Sequence, residues 1–370
     1  MKIRLTVLSV VAASLAAAPI HAQTRSVAGG VSFERYSFGD ASATGIESLT
    51  LLVLPFGAAA SVTSRLNVEV NGAWARGALT RTDGSESTIQ GLADTDVRAR
   101  FAVIRDRLIL SASYIAPTGN ATQSTDESEV AGAVAADLLP FRISNWGQGG
   151  GFAADAALIS RVGTTGVGLS VSYGVAGEFE PLDGEEAVYL PGNQLQVRLA
   201  LDRSVGAAGK ATLQLSAHRF SDDQLDSRNL YRSGNRIQGI LSYAFAIGTG
   251  SSAVAWGGWM RRQRGTYLDD DEIADDRETP AQDLILIGGG LRVPVGPAAL
   301  LPTVDARVFR SSDGVGQGYV AGAGLAAELR AGSLVLVPSA RARFGNVLVR
   351  EDTESAITGL ELAATIRFGS

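Results

Sequence analysis

NQLQVRLALDR, residues 193–203, alternates without a break. Leu195, Val197, Leu199 and Leu201 fall on one face, and Gln194, Gln196, Arg198 and Asp202 on the other. A period of two marks a strand with one apolar and one wet side. The run matches the roughly 9–11 residues that a tilted strand needs to cross a bilayer and exceeds the ~5–6 residues usual in soluble sheets.

The pattern recurs outward from this stretch. Leu360, Leu362, Ala364, Ile366 and Phe368 alternate with Gly359, Glu361, Ala363, Thr365 and Arg367. Val97, Ala99, Phe101 and Val103 oppose Asp96, Arg98 and Arg100; Leu334, Leu336, Ala340, Ala342 and Phe344 oppose Ser339, Arg341 and Arg343. The alternation predicts strands over 27–38, 46–55, 65–77, 91–104, 108–117, 151–162, 166–178, 193–203, 210–220, 235–247, 252–264, 281–293, 299–310, 318–330, 333–346 and 355–368. An even number of strands suits a closed bacterial barrel. The expected fold is therefore all-β, a closed antiparallel transmembrane barrel of about sixteen strands. Short connections at 105–107, 163–165, 296–298 and 331–332 alternate with long polar loops at 79–90, 118–150, 181–192, 221–234, 265–280 and 347–354.

One segment departs from this rhythm. Val130 to Phe141 is Ala-rich, with Val130, Val134 and Leu138 four apart, which is helical spacing. The expectation is a helix or half-buried plug within loop 118–150, with these three residues forming a constriction.

At the N-terminus, Met1-Lys2-Ile3-Arg4 precedes an apolar run from Leu5 to Pro19, and Ile20-His21-Ala22 supplies a small residue for cleavage. This is the layout of a secretory signal peptide over 1–22, leaving a barrel over 23–370 and an expected place in a bacterial outer membrane. Loss of Lys2 and Arg4 takes the formal charge from −6 to −8, which argues against a nucleic-acid partner. The chain has no cysteine, so thiolate catalysis and thiolate metal binding are excluded. No cofactor or metal set is expected.

The stretch GLADTDVRARFAV (Gly91 to Val103), a short turn, and LILSASYIAPTGN (Leu108 to Asn120) resemble outer-membrane transporter-like barrels of the MetA-pathway of phenol degradation family. There a Gly-x-x-Asp strand start is followed by a strand ending in Pro-Thr-Gly. SNWGQGGGFAADAALIS (Ser144 to Ser160) is similar to the Gly-rich re-entry of those chains. The resemblance covers about a quarter of the chain and implies passage of small, often aromatic, compounds, with no catalytic residue. Chains of that family commonly finish on an aromatic residue, whereas Gly369 and Ser370 follow Phe368 here.

Alternation points Glu69, Asp96, Arg98, Arg100, Asp155, Arg198, Asp202, Asp305, Arg307, Glu328, Arg341, Arg343, Glu361 and Arg367 into the lumen. Rings of charge set pore selectivity; cross-strand Arg–carboxylate ladders stiffen a wall. Both readings stand at this stage. His218 lies on the polar face near Ser221, Asp222 and Asp223, so it serves either a lumen hydrogen bond or a membrane hydrolase. The acidic run Leu268 to Glu278 reads as a solvated loop, with cation bridging to lipopolysaccharide as the alternative. Trp74, Tyr114, Tyr173, Phe220, Tyr243, Phe245, Trp256, Trp259, Tyr319 and Phe344 suit interfacial belts.

The expected function is a channel or facilitator for small solutes rather than an enzyme; the alternative is a structural or surface-interaction barrel with a filled lumen, and a hydrolase around His218 ranks behind both. Expected partners are outer-membrane lipids, lipopolysaccharide, the barrel-assembly machinery and a small-molecule solute.

Overall fold

The structure, a computed structural model, describes residues 25–206, 208–268, 278–350 and 353–369. The leader expected over 1–22 lies outside the described residues, as does the acidic run apart from Leu268 and Glu278.

In chain order the barrel begins with β1 (Arg25–Phe38), β2 (Ile46–Ser61) and β3 (Leu66–Arg81). Next come β4 (Glu86–Leu92) and β5 (Thr95–Ile104), then β6 (Leu108–Ala116), β7 (Gly151–Val162) and β8 (Thr165–Ala176). β4 pairs with the upper part of β3 and β5 with its lower part, so the two form one interrupted stave. After the short β9 (Tyr189–Leu190) come β10 (Gln194–Val205) and β11 (Gly209–Phe220). The short β12 (Asp222–Leu225) and β13 (Arg228–Arg232) precede β14 (Arg236–Ala246) and β15 (Ser252–Arg262). β16 (Gly265–Tyr267) and β17 (Glu278–Thr279) are again short. The chain finishes with β18 (Gln282–Val295), β19 (Ala298–Ser311), β20 (Gly318–Ala331), β21 (Leu334–Arg350) and β22 (Thr353–Gly369). The seventeen strands of the main sheet make sixteen antiparallel staves once β4 and β5 are counted together. β22 closes the sheet on β1, from Ser26↔Gly369 to Phe38↔Ile357. Closure pairs the staves on both sides, apart from β4, which pairs only with β3, so backbone polar groups along the ring are satisfied between neighbours without water.

The outward face is apolar and exposed, with Leu215, Leu241, Val304, Leu325 and Leu362 among its large side chains. An apolar belt of that extent on a closed sheet is a lipid-facing surface. Tyr114, Phe152, Tyr173, Trp259, Tyr319 and Phe344 lie outward toward the long-loop end, while Phe101, Tyr243, Phe245 and Phe368 lie toward the short-turn end. Two aromatics expected at the interfaces point inward instead. Trp256 lies opposite Ser242 and Gly288 on the lumen face, where its ring covers the place of a Gly288 side chain. Phe220 shares the inward parity of His218.

Several stretches expected as loops are sheet. β3 runs to Arg81 and β4 starts at Glu86, so 79–90 is a hairpin; β21 and β22 likewise extend through most of 347–354. Here the inward side also carries apolar residues such as Leu79 and Ile89, so simple alternation fails although pairing continues. Loops 181–192, 221–234 and 265–280 contribute β9, β12, β13, β16 and β17 to a second, five-stranded sheet. Its members are joined by Tyr189 Oη donating to Asp223 Oδ2 at 2.6 Å and by the Tyr231–Tyr267 ring pair.

The core sits inside the barrel. β2 is apolar on both faces: Leu54 is exposed outward, while Leu49, Leu51 and Val53 face the lumen and are buried. Ala73, Ala75, Leu79 and Ile89 continue this apolar inner wall across β3 and β4. A wall of that kind needs a cover, which the segment between β6 and β7 supplies.

Candidate functional site

The segment 117–150 enters the lumen and packs against one side of it. Its helix, Thr125–Val134, begins with a capping box in which Ser124 and Glu127 satisfy each other's backbone amides. The helical piece expected over Val130 to Phe141 therefore starts earlier and ends at Val134; Pro140 disfavours helical geometry just before it. Val130 and Val134 lie one turn apart on the helix and Leu138 follows in the next bend. All three are buried, with Leu139 and Trp146, against the apolar wall of β2, β3 and β4. The cluster also takes in Met260, Leu284, Phe309, Val320 and Ile357 from β15 and β18 to β22.

A knot of hydrogen bonds fixes the two ends of the segment. Asp94 lies in the break between β4 and β5; its Oδ1 accepts from the Gly119 amide at 2.9 Å and its Oδ2 from the Gln148 amide at 2.8 Å. Thr118 Oγ1 meets Thr95 Oγ1 at 2.9 Å and donates to the Ala93 carbonyl at 3.0 Å. A side chain at Gly119 would meet the Trp146 carbonyl at 1.9 Å, so only glycine permits this approach. The three quoted stretches, around Gly91, Pro117 and Trp146, thus meet at one point.

Charges bind the segment to the lumen wall. Arg142 Nη2 donates to Glu361 Oε1 at 2.7 Å, and its Nε lies 3.5 Å from Glu34 Oε1. Arg341 and Arg343 grip the two oxygens of Asp305 at 2.5 and 2.8 Å, and Arg343 also reaches Glu361 at 3.5 Å. They do so by lying across Gly322 and Gly324 of β20, where side chains would crowd the guanidinium groups. Arg81 pairs with Glu129 near the mouth. Asp137 accepts from Arg307 through its carbonyl at 3.0 Å and faces Arg262 Nη2 at 3.4 Å through its carboxylate.

The remaining residues read as lumen-facing are distributed along the wall. Arg98 bonds Asp96 at 2.9 Å, and Arg100 pairs with Glu69 at 3.1 Å. Asp202 pairs with Lys210 at 3.1 Å, and Glu328 with Arg292 and Arg330 at 3.2 and 2.7 Å. Asp155 accepts from Ser111 at 3.3 Å. Arg367 lies opposite Val335 and Ala28 at the short-turn end, away from the inserted segment. Arg198 lies opposite Ser170 and Ser216 and has neither an ion pair nor a side-chain hydrogen bond among the described residues.

His218 is held by amides rather than acids. Its Nδ1 meets Gln194 Nε2 at 2.5 Å and its Nε2 meets Gln196 Nε2 at 2.9 Å, with Ser216 Oγ at 3.2 Å. Ser221 and Asp223, near it in sequence, turn to the Asn193 and Gly192 amides instead. That arrangement orients the ring, with Ser216 as the hydroxyl beside it and no carboxylate bonded to either ring nitrogen among the described residues. Among the described residues no group of three or more His, Asp and Glu is placed to hold a metal ion.

The segment leaves the wall from β7 to β14 open. There a cavity of about 470 Å3 is lined by Arg198, Ser170, Gln214, Ser216, Gln238 and Ile240 among others. Sequence reasoning missed Glu34, Asp94, Asp137, Arg142, Arg236 and Arg262. Asp94 stood in a quoted motif, but its role needs the pairing of two distant loop ends.

No protein-family model and no curated protein matches the chain. Among solved structures it is similar to the outer-membrane expressed OmpT of Vibrio cholerae, at 9% identity over 94% of this chain and 97% of that one, with a TM-score of 0.43. It is also similar to a mutant Rhodopseudomonas blastica porin, at 12% identity over 94% and 100% of the two chains (TM-score 0.40). An outer membrane channel from Pseudomonas putida is 13% identical over 95% and 97%, with a TM-score of 0.38.

Proposed function

We propose that this chain is a bacterial outer-membrane channel for passive passage of small, partly apolar solutes, gated in size by the segment 117–150. The carrying observation is that the segment covers only one side of the lumen, from β15 round to β4, and leaves a cavity of mixed polar and apolar lining along β7 to β14. Sixteen staves enclose more space than side chains alone fill, so an aqueous path beside the segment is the economical reading. Val130, Val134 and Leu138 act as the anchor of the constriction, and Arg198 with the cations around Asp137 faces the path. The pairs Arg98–Asp96, Arg100–Glu69, Arg341–Asp305 and Arg343–Glu361 stiffen the wall and contribute little net charge. The likeness to phenol-degradation barrels favours aromatic solutes. Lipids, lipopolysaccharide and the barrel-assembly machinery are the partners such a barrel needs.

Deleting residues 122–148 and closing the gap with a short Gly/Ser linker should raise single-channel conductance in planar bilayers while heat-modifiable gel migration still reports a folded barrel. Unchanged conductance in a folded variant would place the size filter elsewhere. A sealed wild-type protein would favour the second reading, a filled structural barrel, for which the ion-paired network from Arg142 to Asp305 speaks.

A further inference from the structure

Some inward-facing arginines meet a carboxylate and others do not; Arg367, at the short-turn end, is of the second kind as well. Arg98, Arg100, Arg341 and Arg343 each have a carboxylate within 3.1 Å. Arg198 and Arg236 make neither an ion pair nor a side-chain hydrogen bond with any described residue, and the Nε of Arg236 is buried without a partner. Both belong to the open wall. Arg236 lies directly opposite His218, and Arg198 sits opposite Ser216, two residues from His218 on the same inward row. Both therefore neighbour His218 on the inward face, Arg236 directly across on β14 and Arg198 diagonally across on β10. Arg262, directly opposite Arg236, faces the Asp137 carboxylate at 3.4 Å, and Arg307 donates to the Asp137 carbonyl. This corner of the lumen therefore carries more cationic than anionic groups, in a place where protein walls reduce solvent screening.

A guanidinium fork left open in such a setting is matched by a planar two-oxygen anion. A cavity of about 470 Å3, lined by Arg198 and, two residues from Arg236 on the same inward row of β14, by Gln238, is in the range of small-molecule sites. It offers hydroxyl and amide groups from Ser170, Gln214 and Gln238, and apolar surface from Ile159, Ala200 and Ile240. We propose that Arg198 and Arg236 form a binding site for a small organic carboxylate whose apolar body lies toward Ile240. This deepens the channel reading and rests on it for the role of the site in transport, while the site itself can be tested without transport.

The test uses the full-length protein in detergent, titrated calorimetrically with sodium benzoate against a sodium chloride background, alongside bilayer conductance with and without benzoate. Wild type should bind benzoate, and the current should be partially blocked at matching concentrations. The Arg198→Gln/Arg236→Gln variant should weaken binding by about ten- to a hundredfold, as loss of charged hydrogen bonds implies. Arg219→Gln removes the same charge from the outward face of β11 and should leave binding unchanged. Arg198→Lys keeps the charge but not the fork and should fall between. Benzoate binding without conductance would sink the channel reading and keep the site. Conductance with no benzoate binding, or binding indifferent to the double substitution in a folded barrel, would overturn the site. Equal competition by chloride or inorganic phosphate would overturn its assignment to carboxylates.

Discussion

Asp94 and Gln148, 54 residues apart, meet through a 2.8 Å hydrogen bond from the Gln148 amide to Asp94 Oδ2, while Asp94 Oδ1 takes the Gly119 amide. One carboxylate therefore closes the neck of the inserted segment. Hydrogen bonds to a charged group contribute about 1.5–3 kcal/mol each. Asp94→Ala should loosen the segment while the barrel, held by its own ladder, still folds. Hydrogen exchange of amides 119–148 should accelerate and open-channel noise should rise. Protection equal to wild type would show that the apolar packing alone holds the neck.

The two faces of β11 make a direct comparison. Leu215 is outward and exposed; Gln214 shares the inward parity of Ser216 and His218. Leu215→Arg should cost about 2–4 kcal/mol if it lies near the bilayer midplane, and Gln214→Arg much less. Denaturant unfolding in lipid vesicles reads the difference, and equal losses would contradict the register. Gln196→Arg is a separate case: alternation alone treats it as freely tolerant, but Gln196 is buried and bonded to His218. Its loss should be intermediate.

Period-two patterning made the staves legible wherever one side meets lipid and the other water, as in Gln194 to Val205 and the last strand. It blurred at Leu49 to Leu54 and Leu79 to Ile89, where an inserted segment makes the inner side apolar too. The segment itself showed in the four-residue spacing of Val130, Val134 and Leu138, but its capping box and the end at Val134 depend on local geometry. Partner choice among charges was hidden: Arg341 and Arg343 reach Asp305 only because β20 has glycine beneath them. Arg198 and Arg236 separate from the acid-paired arginines of the wall only once every cross-strand pair is placed.

The outer five-stranded sheet should respond to acid. Arg232 donates to Asp222 through Nε at 2.5 Å and through Nη2 at 3.0 Å, and this holds the Asp222 carboxyl below its ordinary 3.8. A carboxylate depressed in the folded state adds stability above its unfolded value and loses it as pH falls through the folded one. Exchange of the amides in Arg228–Arg232 should therefore speed up below about pH 4 and not between pH 5 and 8. Asp222→Asn should remove that step. A profile identical in the variant would assign the acid response to another group.

Trp146 is fully buried; its indole nitrogen donates to the Ala75 carbonyl at 3.1 Å, and its ring occupies the place of a side chain on Gly77. Removing a buried tryptophan typically costs about 3–5 kcal/mol, and here that cost falls on docking of the segment rather than on closure of the barrel. Trp146→Ala should leave heat-modifiable migration intact, open residues 125–146 to proteolysis and widen the distribution of conductance states. Gly77→Val attacks the same contact from the wall, since a Cβ there would stand 2.8 Å from the ring and 3.1 Å from Val130. If docking is the shared cause, the two substitutions together should do little more than either alone, because each removes the same contact. Additive effects would mean that the ring and the glycine act through separate parts of the wall, and loss of the folded barrel in Trp146→Ala would mean that the segment is needed for closure itself.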